Sequence, residues 1–193
     1  MTTRTVPAPV WAVVLLVGLC SACGETQFEY NQQLNYTASL RLQNAEPTGN
    51  DRTVVLAEGV DFELTTMTPE LVQYKGRFKE LQIQKLSYTI RDNTLNADID
   101  AIEVALGPLG AADPSAADAV LIATIDSLPA GTDGAGDAEI HHENTSAASP
   151  LVFDLDFGVA QGTEFQVQAG AQPPTGGLTL DVELFLTLIA DPI

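Results

Sequence analysis

Residues 178–188 read LTLDVELFLTL. Leu178, Leu180, Val182, Leu184, Leu186 and Leu188 take every second position, and Thr179, Asp181, Glu183 and Thr187 fall between them. A period of two sends alternate side chains to opposite faces of an extended chain. The stretch is therefore a strand with one face in a core and the other toward water. The segment before it, AQPPTGG (171–177), is a Pro/Gly turn.

The same pattern recurs along the chain. Leu34, Tyr36, Ala38, Leu40 and Leu42 share one face from Gln33 onward, and a turn follows over 44–52 with Pro47, Gly49, Asn50 and Asp51. Thr53–Leu56 and Val60–Thr66 read as strands around Gly59. Leu81 and Ile83 alternate, then Leu86, Tyr88 and Ile90 alternate in the opposite phase, which predicts a β-bulge near Lys85. Ile99 followed by Ile102, Val104 and Leu106 is a second slip of this kind, and 107–118 is a loop. Val120–Ile125 is apolar enough for a central strand. Residues 129–150 read as a long Gly/Ala/Asp/Ser loop, Leu151 to Phe157 as a strand alternating with Asp154 and Asp156, and Phe165 to Ala169 as another strand.

One stretch breaks the period. Thr68-Pro69-Glu70 is a helix start, with a hydroxyl cap, Pro in the first turn and an acid behind it. Leu71, Tyr74, Phe78 and Leu81 follow at spacings of three and four, predicting a short amphipathic helix over 69–80. Gly76 opposes it by about 1 kcal/mol relative to alanine. Short strands between Pro/Gly turns make the fold mainly β: an antiparallel β-sandwich, jelly-roll or immunoglobulin-like, of about eight or nine strands with one short helix near 69–80.

The first 23 residues, MTTRTVPAPVWAVVLLVGLCSAC, have a different logic. Arg4 precedes an apolar run from Val10 to Cys20, then the small residues Ser21 and Ala22. That is the build of a secretory signal, and the run is too short to span a bilayer as a helix. A cut after Ala22 leaves Cys23 at the new terminus. The segment resembles the signal of bacterial lipoproteins, with one departure: Cys20 stands at −3, where that family usually has leucine. The resemblance implies a diacylglycerol on the Cys23 thiol, cleavage before it and N-acylation. It also implies that Gly24-Glu25, lacking the Asp of inner-membrane retention, favours the outer membrane. An ordinary cleaved signal with a bystander cysteine is the other reading. A metal or redox reading of Cys20 and Cys23 lacks a second cysteine pair. The expected organisation is signal peptide 1–22, lipidated cysteine and tether 23–32, and one domain over 33–193.

The chain has 8 Lys+Arg against 26 Asp+Glu. Without Arg4 the mature protein has 7 against 26, a net charge of −19. Five of those seven basic residues lie within 75–91, and no Lys or Arg follows Arg91. Nucleic acid needs a basic footprint, which this chain lacks. The acidity fits either solubility in a saline medium or divalent-cation binding. Residues 70–93, ELVQYKGRFKELQIQKLSYTIRDN, are similar to a segment of uncharacterised bacterial β-sandwich lipoproteins, a resemblance that brings no function.

Candidate chemistry is sparse. If 138–143 is extended, Glu139, His141 and Glu143 project to one side, and Asp133 and Asp137 can add oxygens for zinc or calcium. Asp98, Asp100 and Glu103, and the pair Asp154 and Asp156, are further acid clusters with a simpler reading as wet faces. No Gly-x-Ser-x-Gly elbow, phosphate loop or metalloprotease helix appears. Lys75, Arg77 and Lys79 either dock an acidic partner surface or offset acids on their own surface. The sequence thus points to a non-enzymatic envelope lipoprotein without a cofactor, held to the membrane by lipid and binding or assembling with another envelope protein. The alternative is a small-ligand or divalent-metal binding module at the cell surface.

Overall fold

The computed structural model describes residues 14–15, 27–43, 52–168 and 171–192. Cys23 and the turn predicted at 44–51 lie outside them. The strands are β1 (Val14–Leu15), β2 (Phe28–Gln43), β3 (Arg52–Glu63), β4 (Phe78–Arg91), β5 (Ile102–Gly107), β6 (Val120–Ile125), β7 (Gly134–Asp137), β8 (Glu139–Ile140), β9 (Asp156–Val167) and β10 (Gly177–Ala190). Sheet A has the order β7-β4-β10-β2, and sheet B has the order β3-β9-β5-β6-β8. All of these pairings are antiparallel. The sheets meet at one corner, where Leu42 and Gln43 of β2 pair with Leu56 and Val55 of β3. The two-residue β1, within the predicted signal, pairs with Asn31 and Gln32 of β2.

The pairs β2–β10, β3–β9, β4–β7 and β5–β6 nest inside one another along the sequence and alternate between the sheets. This is the jelly-roll wrap, two Greek keys folded face to face. The immunoglobulin-like alternative is set aside. One core lies between the sheets. The odd-looking period of 178–188 is explained directly: its six apolar residues are all buried, against Leu34, Tyr36 and Leu40 of β2 and Leu81, Leu86 and Ile90 of β4. Sheet B answers with Leu56, Phe62, Ile102, Val104, Ile122, Phe157 and Val159.

The predicted bulge is present. Phe185 pairs with Lys85 while Leu186 pairs with Ile83, so Gln84 is the extra residue. It lets Ile83 and Leu86, three apart, both face the core.

Four expectations are corrected. The 69–80 helix is a 3₁₀ turn over Pro69–Tyr74, preceded by the short helix α1 (Leu64–Met67), and β4 begins at Phe78. Gly76 takes φ +81°, a left-handed conformation that ends any helix there. Residues 145–153 are not loop and strand but the helix α2 (Thr145–Phe153), with Ala148 and Val152, four apart, buried beneath it. A short apolar alternation does not exclude a helix, and this one is decided by packing on β4. β3 is one strand running through Gly59 rather than two. β2 starts at Phe28, inside the predicted tether, and buries Tyr30.

β2, β4 and β10 place the starts of β2 and β4 and the end of β10 at one end of the sandwich. The segment 64–77, linking β3 of sheet B to β4 of sheet A, closes that end. Leu64 and Leu71 plug it, and Phe28 stacks on Tyr74 with ring centres 4.5 Å apart. The turns 92–96, 129–133 and 171–176 crown the opposite end.

Candidate functional site

The predicted metal ligands are separated by the fold. β7 pairs with β4 in sheet A, and β8 pairs with β6 in sheet B. The chain crosses between the sheets at Ala138, so Asp137 and Glu139, two residues apart, belong to different sheets. Asp133 accepts the Asn93 backbone N–H at 3.0 Å. Asp137 accepts the Ser87 hydroxyl at 2.8 Å and pairs with Lys85 at 3.0 Å. Lys85 and Ser87 hold the Asp137 carboxyl below its ordinary range. Residues 142–144 curl into a 3₁₀ turn, so 138–143 is not the extended run that would align Glu139, His141 and Glu143. Among the described residues, no group of three or more His, Cys, Asp and Glu is placed to hold a metal ion.

What the fold does assemble is a chain of three side chains across β6 and the 3₁₀ turn. His141 Nε2 lies 2.8 Å from Thr124 Oγ1, and its Nδ1 lies 3.4 Å from Glu143 Oε1. A neutral ring protonated on Nδ1 donates to Glu143 and accepts from the Thr124 hydroxyl. The Glu143 backbone N–H, then the His141 ring, hold the Glu143 carboxyl below its ordinary range. The sequence hid this trio because Thr124 is 17 residues away, on a strand read only as apolar.

Hydroxyl, imidazole and carboxylate in a row have the form of a nucleophile, base and orienting acid. The surroundings oppose that chemistry. Thr124 stands directly opposite Glu103 of β5 and Glu139 of β8. Residues opposite one another share a face. An oxyanion forming at Thr124 would therefore meet two carboxylates rather than donors. The trio acts as a strut that pins the turn before α2 to sheet B, assisted by Asn144, which donates to the Leu121 carbonyl at 2.8 Å.

The other acids fall in three places. Asp98 accepts the Ala130 backbone N–H at 2.8 Å. Asp100 and Glu103 line a cavity of about 330 Å³ on the outer face of sheet B, together with Asp113 and Glu164. Asp154 follows α2 and Asp156 opens β9, so they are not neighbours on one strand face.

Lys75 and Lys79 pair with acids of their own surface, and Arg77 with a backbone carbonyl. Lys79 pairs with Asp191 at 2.6 Å, Lys75 with Asp154 at 4.0 Å, and Arg77 donates to the Pro192 carbonyl at 2.6 Å. All three sit at the end of the sandwich closed by 64–77. Farther along sheet A, Arg91 donates through Nε and Nη2 to Asp181, and Thr37 donates to the same carboxylate at 2.6 Å. The Arg91 contact first, with Thr37 assisting, lowers the Asp181 carboxyl below its ordinary 3.8. A lowered folded value stabilises the fold above the ordinary range, and that contribution is lost as pH falls through the folded value. Asp181→Asn should therefore melt below the parent at pH 7, and the two melting curves should converge as pH falls through the lowered Asp181 value. A gap unchanged by acid would show that the carboxylate charge plays no part.

No helix among the described residues is long and apolar enough to cross a membrane. No family model and no curated protein matches the chain. Solved structures similar to it include a chain of desmodium yellow mottle tymovirus, 11% identical over 93% of this chain and 95% of that one, with a TM-score of 0.30. A chain of infectious bursal disease virus, Gx strain, is 14% identical over 96% of this chain and 37% of that one, with a TM-score of 0.29. At these TM-scores the likeness carries no argument about the chain.

Proposed function

We propose that this chain is an exported, lipid-anchored protein of a bacterial cell envelope whose jelly-roll domain is non-enzymatic and engages another envelope protein. The observation that carries the reading is a spacing. Cys23 follows a signal-like segment, and β2 begins at Phe28, five residues later. The first strand that contributes to the core thus starts just after the proposed anchor. Two or three acyl chains on Cys23, at about 0.8 kcal/mol per buried CH₂, hold such a domain at a membrane durably. Gly24-Glu25 favours the outer membrane.

Two observations favour binding over catalysis. The Thr124–His141–Glu143 trio faces carboxylates, as described above. The exposed face of sheet A is preorganised by side-chain ties across strands, among them Arg91–Asp181–Thr37. A polar surface already held in place loses little entropy when a partner docks.

Mass spectrometry of the N-terminal peptide from native membranes should find a diacylated or triacylated Cys23. Crosslinking in the same membranes should recover a defined envelope partner. An unmodified N-terminus defeats the anchor, and a chain that crosslinks to nothing beyond itself defeats the partner.

A further inference from the structure

We propose that the end of the sandwich closed by residues 63–80 is a membrane-contact plate, resting on a phospholipid surface and orienting the domain. This rests on the reading of Cys23 as lipidated and adds which surface the lipid draws down.

Three independent features converge on this end. The first is reach. Phe28 opens β2 here, and the five residue steps from Cys23 span at most about 18 Å. An anchored Cys23 therefore keeps the end around Phe28 within about 18 Å of the headgroups, closer than any other part of the domain is held.

The second is charge. Within 63–80, Glu63, Glu70 and Glu80 are cancelled by Lys75, Arg77 and Lys79. Residues 81–193 have Lys85 and Arg91 against 17 acids, a net of −15. Anionic headgroups repel the acidic remainder and attract lysine and arginine close to the surface, over a range of about 8 Å at physiological salt. In space Asp154 and Asp191 pair with Lys75 and Lys79 at this same end, so the plate is the least repelled part of the surface rather than an attracting one. From sequence alone the basic run looked remote from the tether. β4 starting beside β2's own start is what brings Lys75, Arg77 and Lys79 next to it.

The third is exposed apolar surface. Among the described residues, the large hydrophobic side chains left exposed are Val72 (44%) and Leu109 (51%). Val72 lies on the 3₁₀ turn of the plate, beside the Phe28–Tyr74 stack. Leu109 follows the end of β5, whose Gly107 pairs with Gly158 near the start of β9 at the same end. Apolar tips flanked by lysine and arginine suit the headgroup boundary, where the tips enter and the cations snorkel.

The test uses tryptophan as a local probe, since the chain's one tryptophan, Trp11, lies in the predicted signal. A chain beginning at Cys23 is coupled through that thiol to maleimide-phosphatidylethanolamine. It is then placed on vesicles of phosphatidylethanolamine and phosphatidylglycerol with brominated acyl chains. Val72→Trp reports on the plate, and Ala130→Trp, exposed at the opposite end, is the control. The probe at 72 should shift to the blue and lose about half its emission to bromine, while the probe at 130 keeps its own. In the unaltered chain, amide exchange over 69–77 should slow on the same vesicles and that over 129–133 should not. Equal quenching at both probes, quenching at neither, or a blue shift at 72 that needs protein concentration but no lipid (a second copy seated on the plate) overturns the proposal. The lipid is supplied chemically here. Failure of this measurement is thus distinct from failure of the anchor reading, which an unmodified Cys23 in native membranes would reveal.

Discussion

Replacing Phe62 by alanine should lower stability by about 3–5 kcal/mol, the cost of truncating a fully buried phenylalanine. Phe62 is on β3 of sheet B, and its ring meets Tyr36 of sheet A edge-on, with centres 5.6 Å apart. On its own sheet it packs against Phe157 at 5.8 Å. Removing it opens a void that touches both sheets, and β strands already committed to their ladders cannot collapse into it. Tyr36 makes the void worse, since its buried hydroxyl has no hydrogen-bond partner among the described residues. Burial accordingly pushes that hydroxyl's pKa upward. For a domain of this size the loss corresponds to a melting temperature lower by roughly 6–20 °C. Calorimetry checks it, and a shift of a degree or two would mean that the aromatic cluster is not what joins the sheets.

The second large effect is expected at Gly59. A Cβ built there would lie 1.8 Å from the Ala111 carbonyl oxygen, a contact no side chain tolerates. Gly107 and Gly158 form the same floor, with a Cβ at Gly158 meeting the Pro108 carbonyl at 2.6 Å. The loop after β5 lies across this floor on the outer face of sheet B, fastened by Asp61, which accepts the Gly110 N–H at 2.7 Å. Gly59→Ala must therefore displace the loop. The expected cost is about 1–3 kcal/mol. Proteolysis within 108–119 should become faster, while exchange protection of β10 stays at the parental level. Parental resistance of 108–119 to protease would show that the loop does not lie on Gly59.

The two effects differ in how visible they were in the sequence. Phe62 was legible as an apolar residue in a predicted strand. Gly59 was read as a break between two strands, because a glycine in an apolar run looks like punctuation. It is instead a point of close approach, and only the loop lying over it explains the missing side chain. The candidate site shows the same division. Thr124, His141 and Glu143 meet because β6 and the turn before α2 are adjacent in sheet B, and no spacing in the sequence encodes that adjacency. Asp133, Asp137 and Glu139 looked like one acidic loop, yet the chain changes sheets between Asp137 and Glu139.

By itself the sequence determined the class of fold, the phase of β2, β4 and β10 and the bulge at Gln84–Lys85. Each depends on which side of a pleat a residue faces, and a period of two records that locally. The proposal about Cys23 likewise rests on contiguous residues alone. Tertiary structure alone decided the jelly-roll order of the strands, the helix at 145–153, the dispersal of the acidic loop and the placement of Lys75, Arg77 and Lys79 beside the start of β2. These depend on contacts between residues tens of positions apart. Burial rewards such contacts only once the two sheets have closed on one another.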